Sequence, residues 1–144
     1  MACPYNGNSC KSASTTYNST AQEYTADATT LNILGTEVTD TCCAIDTQTS
    51  GYKIRRSGLY IISFDVTATP TAAGTNTIQI YRDGVALPSA LVRETAAAAT
   101  TYSAHVETVL YVGTCAMNNP TFAVKISGTA GTVNYLCSNI VKLA

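Results

Sequence analysis

The stretch Gly58-Leu59-Tyr60-Ile61-Ile62-Ser63-Phe64-Asp65-Val66-Thr67-Ala68-Thr69-Pro70 decides the fold. Tyr60, Ile62, Phe64, Val66 and Ala68 occupy every second position, so in an extended strand they share one face. The other face opens with Leu59 and Ile61 and turns polar at Ser63, Asp65 and Thr67. A strand of a free-standing sandwich presents polar residues to solvent. The apolar start of the second face therefore predicts a partner subunit.

Working outward, Thr77 to Leu87 contains Asp83-Gly84, a pair that fits a two-residue type I′ hairpin. That turn places Arg82 opposite Val85 and predicts Ile80 opposite Leu87 on one face. Tyr102, Ala104, Val106, Thr108, Leu110 and Val112 form a second long stripe, and Val109 with Tyr111 makes its other face partly apolar. Phe122, Val124 and Ile126 alternate up to Gly128. A last strand, Thr132 to Leu143, reads as apolar on both faces through Val133, Tyr135, Leu136, Ile140 and Val141. No helical period competes. Ala96 to Ala99 is too short to nucleate a helix and reads as a loop. Residues 1–20, rich in Asn, Ser, Thr, Gly and Cys, read as an extended arm, leaving residues 21–144 as one domain. About eight strands without crossover helices predict an all-β, antiparallel β-sandwich of the jelly-roll kind. Strands apolar on both sides predict that it self-associates.

Composition narrows the function. The 144 residues are 46% hydrophobic and only 12% charged, enough apolar material for one domain with a sizeable core. Eight Lys plus Arg against nine Asp plus Glu give a net charge of -1, which lacks the positive field that nucleic acid requires. With 24 Thr and 20 Ala, the surface is expected to be hydroxyl-rich and weakly charged. The apolar run Leu59-Tyr60-Ile61-Ile62 falls far short of the roughly 18 residues of a membrane span. The opening Met1-Ala2-Cys3-Pro4-Tyr5-Asn6-Gly7 carries neither a basic n-region nor an apolar core, so synthesis in the cytoplasm without a signal peptide is expected. The six cysteines, Cys3, Cys10, Cys42, Cys43, Cys115 and Cys137, do not follow zinc spacing, and their disulfide pairing stays open.

Chemistry is sparse. A hydrolytic triad would have to use the one histidine, His105, and neither a G-x-S-x-G elbow nor a phosphate-binding loop occurs. Asp40 with Asp46, or Glu94 with Glu107, could flank a glycosidic bond, but scattered carboxylates make some such pair inevitable. Asn18-Ser19-Thr20 matches a glycosylation acceptor by chance. No enzyme activity, cofactor or metal is expected.

Four segments carry a resemblance. Ser50-Gly51-Tyr52-Lys53-Ile54 is followed by Ser57-Gly58-Leu59-Tyr60-Ile61-Ile62-Ser63-Phe64-Asp65-Val66, then by the hairpin Ile78-Gln79-Ile80-Tyr81-Arg82-Asp83-Gly84 and the closing Tyr135-Leu136-Cys137-Ser138-Asn139-Ile140-Val141-Lys142-Leu143. Over residues from about 30 to 144 this order resembles the trimeric jelly roll of tumour necrosis factors, complement globular heads, spore-surface collagen-like glycoproteins and many bacteriophage surface proteins. Collagen-like repeats are missing and Ala96 to Ala99 replaces a polar turn, which fits a viral or bacterial branch better than the complement one.

The resemblance implies a homotrimer in which strands at 58–68, 101–112 and 132–143 share an inner sheet. Their outward faces would meet at a threefold axis through Leu59, Ile61, Val109, Tyr111, Cys137 and Val141. His105 and Glu107 project the same way and could form an axial site for an ion or for pH sensing; the alternative is an exposed histidine that only hydrogen-bonds. The expected function is a non-enzymatic virion surface protein, a capsid decoration or head-fibre module of a bacteriophage. Residues 1–20 would bind a capsid or other virion protein. The alternatives are a tail receptor-binding domain, or a bacterial extracellular or spore-surface trimeric module. The receptor-binding reading takes a host surface glycan as ligand, contacted by loops at 70–76, 88–100 and 113–120, and the nine tyrosines could stack on sugars.

Overall fold

The structure, a computed structural model, describes residues 12–41, 44–113 and 119–144. It is all-β, with two antiparallel sheets facing each other across one core. The strands are β1 (Ala13–Asn18), β2 (Gln22–Tyr24), β3 (Thr29–Thr30), β4 (Thr36–Thr41), β5 (Ile45–Gln48), β6 (Gly51–Ile54), β7 (Gly58–Pro70), β8 (Gly74–Arg82), β9 (Val85–Ala96), β10 (Tyr102–Val112), β11 (Thr121–Ser127) and β12 (Gly131–Lys142). The first sheet runs β10-β7-β12-β1-β4, with β2 on β12. The second runs β5-β6-β11-β8-β9, with β3 on β11.

The alternation in β7 does what periodicity requires. Tyr60, Ile62, Phe64, Val66 and Ala68 are all buried, and Phe64 stacks across the sandwich on Tyr52 of β6, ring centroids 6.3 Å apart. Burying each such side chain stabilises the fold by about 1.5 to 3 kcal/mol. The expected neighbours β7, β10 and β12 lie side by side, β7 in the middle.

Among the described residues twelve strands replace the expected eight or so, and the clearest addition is β1. Residues 13–18, grouped with the N-terminal arm by composition, pair with β12 on one side and β4 on the other. Apolar periodicity could not reveal this strand because its buried face is polar. Ser14 bonds the Thr47 hydroxyl at 2.7 Å, Thr16 donates to the Ile33 carbonyl at 3.0 Å, and Asn18 donates to the Asn32 carbonyl at 3.1 Å. Hydroxyls satisfied in this way substitute for hydrocarbon at modest cost. Asn18 is thereby buried and engaged, which agrees with the glycosylation triplet being fortuitous. Residues 1–11 lie outside the described residues, as do Cys42, Cys43 and Cys115; of the six cysteines only Cys137 is described, and it is a free thiol.

The hairpin forms with Asp83 at φ 49° and Gly84 at φ 81°, the two positive values of a type I′ turn. Arg82 sits opposite Val85 as expected, but the Ile80–Leu87 pair does not form: the register shifts between Gln79 and Tyr81, so Gln79 faces Leu91. Pro88 lies in the displaced stretch and has no N–H for the ladder. The Gln79 side chain donates to the Leu87 carbonyl at 2.9 Å instead. A second irregularity, between Val133 and Tyr135 of β12, puts Val133 and Leu136 both in the core. Part of that strand's two-faced character is therefore a change of phase.

Candidate functional site

The outward face of the first sheet is the candidate site, and its rows follow from strand register. Val109 of β10, Ile61 of β7, Val141 of β12 and Ala13 of β1 lie in line across four strands. Tyr111 and Leu59 pair in the next row toward one end. In the single chain Val109 is 58% exposed, Tyr111 67% and Val141 41%. Leu143 adds a further exposed side chain beside them, its N–H bonded to the Leu59 carbonyl. Exposed apolar side chains are thus neighbours on this sheet surface.

The second sheet shows the contrast. Its outward positions include Thr75, Thr77, Gln79, Tyr81 and Lys125, alternating with buried Asn76, Ile78, Ile80, Val124 and Ile126. The Lys125 ammonium lies 4.6 Å from the centre of the Tyr81 ring, a contact that suits solvent.

Five of the six expected interface residues, Leu59, Ile61, Val109, Tyr111 and Val141, thus form one patch. Cys137 shares their face but pairs with Asp65, in a polar belt beyond the patch. The first row of that belt is Glu107, Ser63, Asn139 and Thr15, and the second is His105, Asp65, Cys137 and Tyr17. Thr15 donates to Asn139 at 2.9 Å, and the Asn139 amide reaches the Cys137 sulfur at 3.7 Å. Farther along, Tyr17 stacks on Tyr135 at 6.2 Å, and hydroxyl pairs Thr67–Ser103 and Thr69–Thr101 close the face. The outward face is therefore apolar at one end only, in keeping with the turn from Leu59 and Ile61 to Ser63, Asp65 and Thr67 along β7.

His105 and Glu107 do come together, with the His105 Nε2 3.4 Å from a Glu107 carboxylate oxygen. The tighter partner is one that sequence reasoning missed: Asp65, whose carboxylate oxygen lies 2.7 Å from His105 Nδ1. The pairing of Ile61 with Val109 implies Asp65 opposite His105, so the cross-strand register was the signal that could have found it. The hydrogen bond to Asp65 chiefly raises the His105 pKa above its ordinary 6.5; burial opposes it, and the charges of Asp65 and Glu107 add to the rise. Both ring nitrogens face carboxylates, so neither addresses a nucleophile. Among the described residues no group of three or more His, Cys, Asp or Glu gathers to hold a metal. Of the expected acid pairs, Asp46 is held by Arg55 at 2.7 Å and Glu107 by His105.

Of the loops considered for glycan contact, residues 88–96 belong to β9, so the first two shrink to 71–73 and 97–100, joined by the Ala99 N–H donating to the Pro70 carbonyl. Residues 114–118 of the third lie outside the described residues.

No family model matches the sequence, and no curated protein matches it. Solved structures do match the fold. Murine APRIL at pH 5.0 superposes with a TM-score of 0.69 at 14% identity, covering 93% of this chain and 100% of that one. The globular domain of zebrafish complement 1qA protein gives 0.67 at 10% identity, covering 93% and 98%. The PRD1 vertex protein P5 gives 0.66 at 15% identity, covering 92% and 97%. The chain has the jelly roll of the tumour necrosis factor and complement-head type.

Proposed function

We propose that this chain is a non-enzymatic structural module that assembles as a homotrimer and serves on a virion surface, as a capsid decoration or head-fibre protein of a bacteriophage. The observation that carries this is the apolar patch of Leu59, Ile61, Val109, Tyr111 and Val141 on one sheet, where the outward positions of β8 and β11 on the other include Thr75, Thr77, Gln79 and Lys125. A patch on a face rather than at an edge is covered by rotating copies about an axis, and closed symmetry is the usual solution for identical chains. The fold likeness to the PRD1 vertex protein P5 supports a virion setting. The segment before β1 is the proposed anchor to a capsid or other virion protein. Cytoplasmic synthesis followed by display on the particle fits a surface wetted by Thr rather than by charge.

The tail receptor-binding reading has less to stand on, because the apolar patch is accounted for by self-association and calls for no glycan. Mass spectrometry of purified particles tests the proposal: the chain is expected in them at a copy number divisible by three, and removal of residues 1–11 should release it without unfolding it. Particles lacking the chain, or undiminished attachment after that removal, would contradict the reading. Binding on a glycan array would move the assignment to receptor recognition.

A further inference from the structure

The polar belt on the outward face of the first sheet has a charge pattern that the apolar patch does not explain. Two carboxylates, Asp65 and Glu107, flank one imidazole, and no lysine or arginine lies in the belt rows around them. Other titratable groups on this face are the Cys137 thiol beside Asp65, and the Tyr17 and Tyr135 phenols beyond it. Strand β9, packed against β10 from the other sheet, carries Arg93 and Glu94, but the ion pairs of His105 among the described residues are with Asp65 and Glu107.

Glu107 and Ser63 stand two residues from Val109 and Ile61 along their strands, about 7 Å away at the rise of an extended chain. A copy that covers the patch therefore brings its own belt to within about one Debye length. We propose that His105 makes the association of copies pH-dependent. With His105 protonated, the triad of each copy contributes one net negative charge; with His105 neutral, it contributes two, and the assembled carboxylates repel. Association is then strong in mild acid and weakens as the pH rises through neutrality. The sign follows from like-charge repulsion: carboxylates of neighbouring copies favour the protonated His105 further on assembly, so association takes up protons and weakens as the pH rises past the already raised value of the free chain.

This inference rests on the self-association proposed above, and sedimentation velocity separates the two. For the full chain, the concentration at which the trimer dissociates should rise at least about tenfold between about pH 6 and about pH 8, the effect of one proton linked by one pKa unit. His105→Gln should behave at every pH like the wild type at high pH. The double variant Asp65→Asn, Glu107→Gln, whose triad has no carboxylate left to repel, should lose the weakening toward high pH. All three groups are about half exposed in the single chain, so folding should survive, with circular dichroism as the check. A wild-type trimer equally tight at both pH values would overturn the switch and leave the trimer standing. A monomer at both would remove the assembly reading, and the switch with it.

Discussion

Asn76 holds one end of the sandwich together through both halves of its amide. Its Nδ2 donates to the Tyr24 and Tyr102 hydroxyls, each at 3.0 Å, and its Oδ1 accepts from the Thr129 backbone at 2.9 Å and the Thr129 hydroxyl at 3.1 Å. These contacts tie β8 to β2, β10 and the turn before β12. Asn76→Ala is expected to cost at least about 2 kcal/mol in a urea titration, because buried hydroxyls and a buried N–H lose their partner together. A loss below about 0.5 kcal/mol would show that water replaces the amide without penalty. At this scale the sequence was least informative. Asn76 sits in a stretch that reads only as polar and turn-like, and Asp65 reads as an ordinary outward carboxylate until the strand opposite is known. Their roles depend on contacts 26 to 53 and 40 residues away, which no local pattern encodes.

Strands were far more legible, and the reason is how their buried faces are composed. In β7, β10 and β11 hydrocarbon alternates with period two, and each was located to within a residue or two of its observed ends. β1 escaped because its inward Ser14 and Thr16 satisfy themselves by hydrogen bonding, and β12 misled because a bulge changed its phase. The outward patch belongs to this scale too, since it exists only when β10, β7 and β12 are laid side by side. Val109→Asp places a charge in its middle, where burial against another copy would cost on the order of several kcal/mol. Size-exclusion chromatography is expected to show the variant as a folded monomer. Thr77→Asp, on the outward face of the second sheet, should elute with the wild type. Equal elution of Val109→Asp and wild type would mean that the patch is not the contact.

For the whole molecule, the two sheets enclose phenols as well as hydrocarbon, which sets its alkaline limit. Burial raises the pKa values of Tyr24, Tyr52 and Tyr102, and pushes Tyr60, whose hydroxyl donates to the Arg56 carbonyl at 2.6 Å, up to about 12 from an ordinary 10. A phenol that holds its proton more tightly when folded contributes stability below about pH 10 and loses it as the pH rises through the folded value. Tyrosinate absorbance of the buried rings should therefore develop only above the ordinary 10, together with loss of β-structure. A single transition near pH 10 with the fold intact would contradict the burial described. Assembly is the larger question at this scale, because a face apolar at one end and acidic at the other makes sense on a molecule that covers it with copies of itself. The most direct test is the mass by light scattering of the full chain at micromolar concentration in mildly acidic buffer. Three copies of a 15.1 kDa chain, about 45 kDa, are predicted; a particle of 15.1 kDa, stable and folded on its own, would contradict the account.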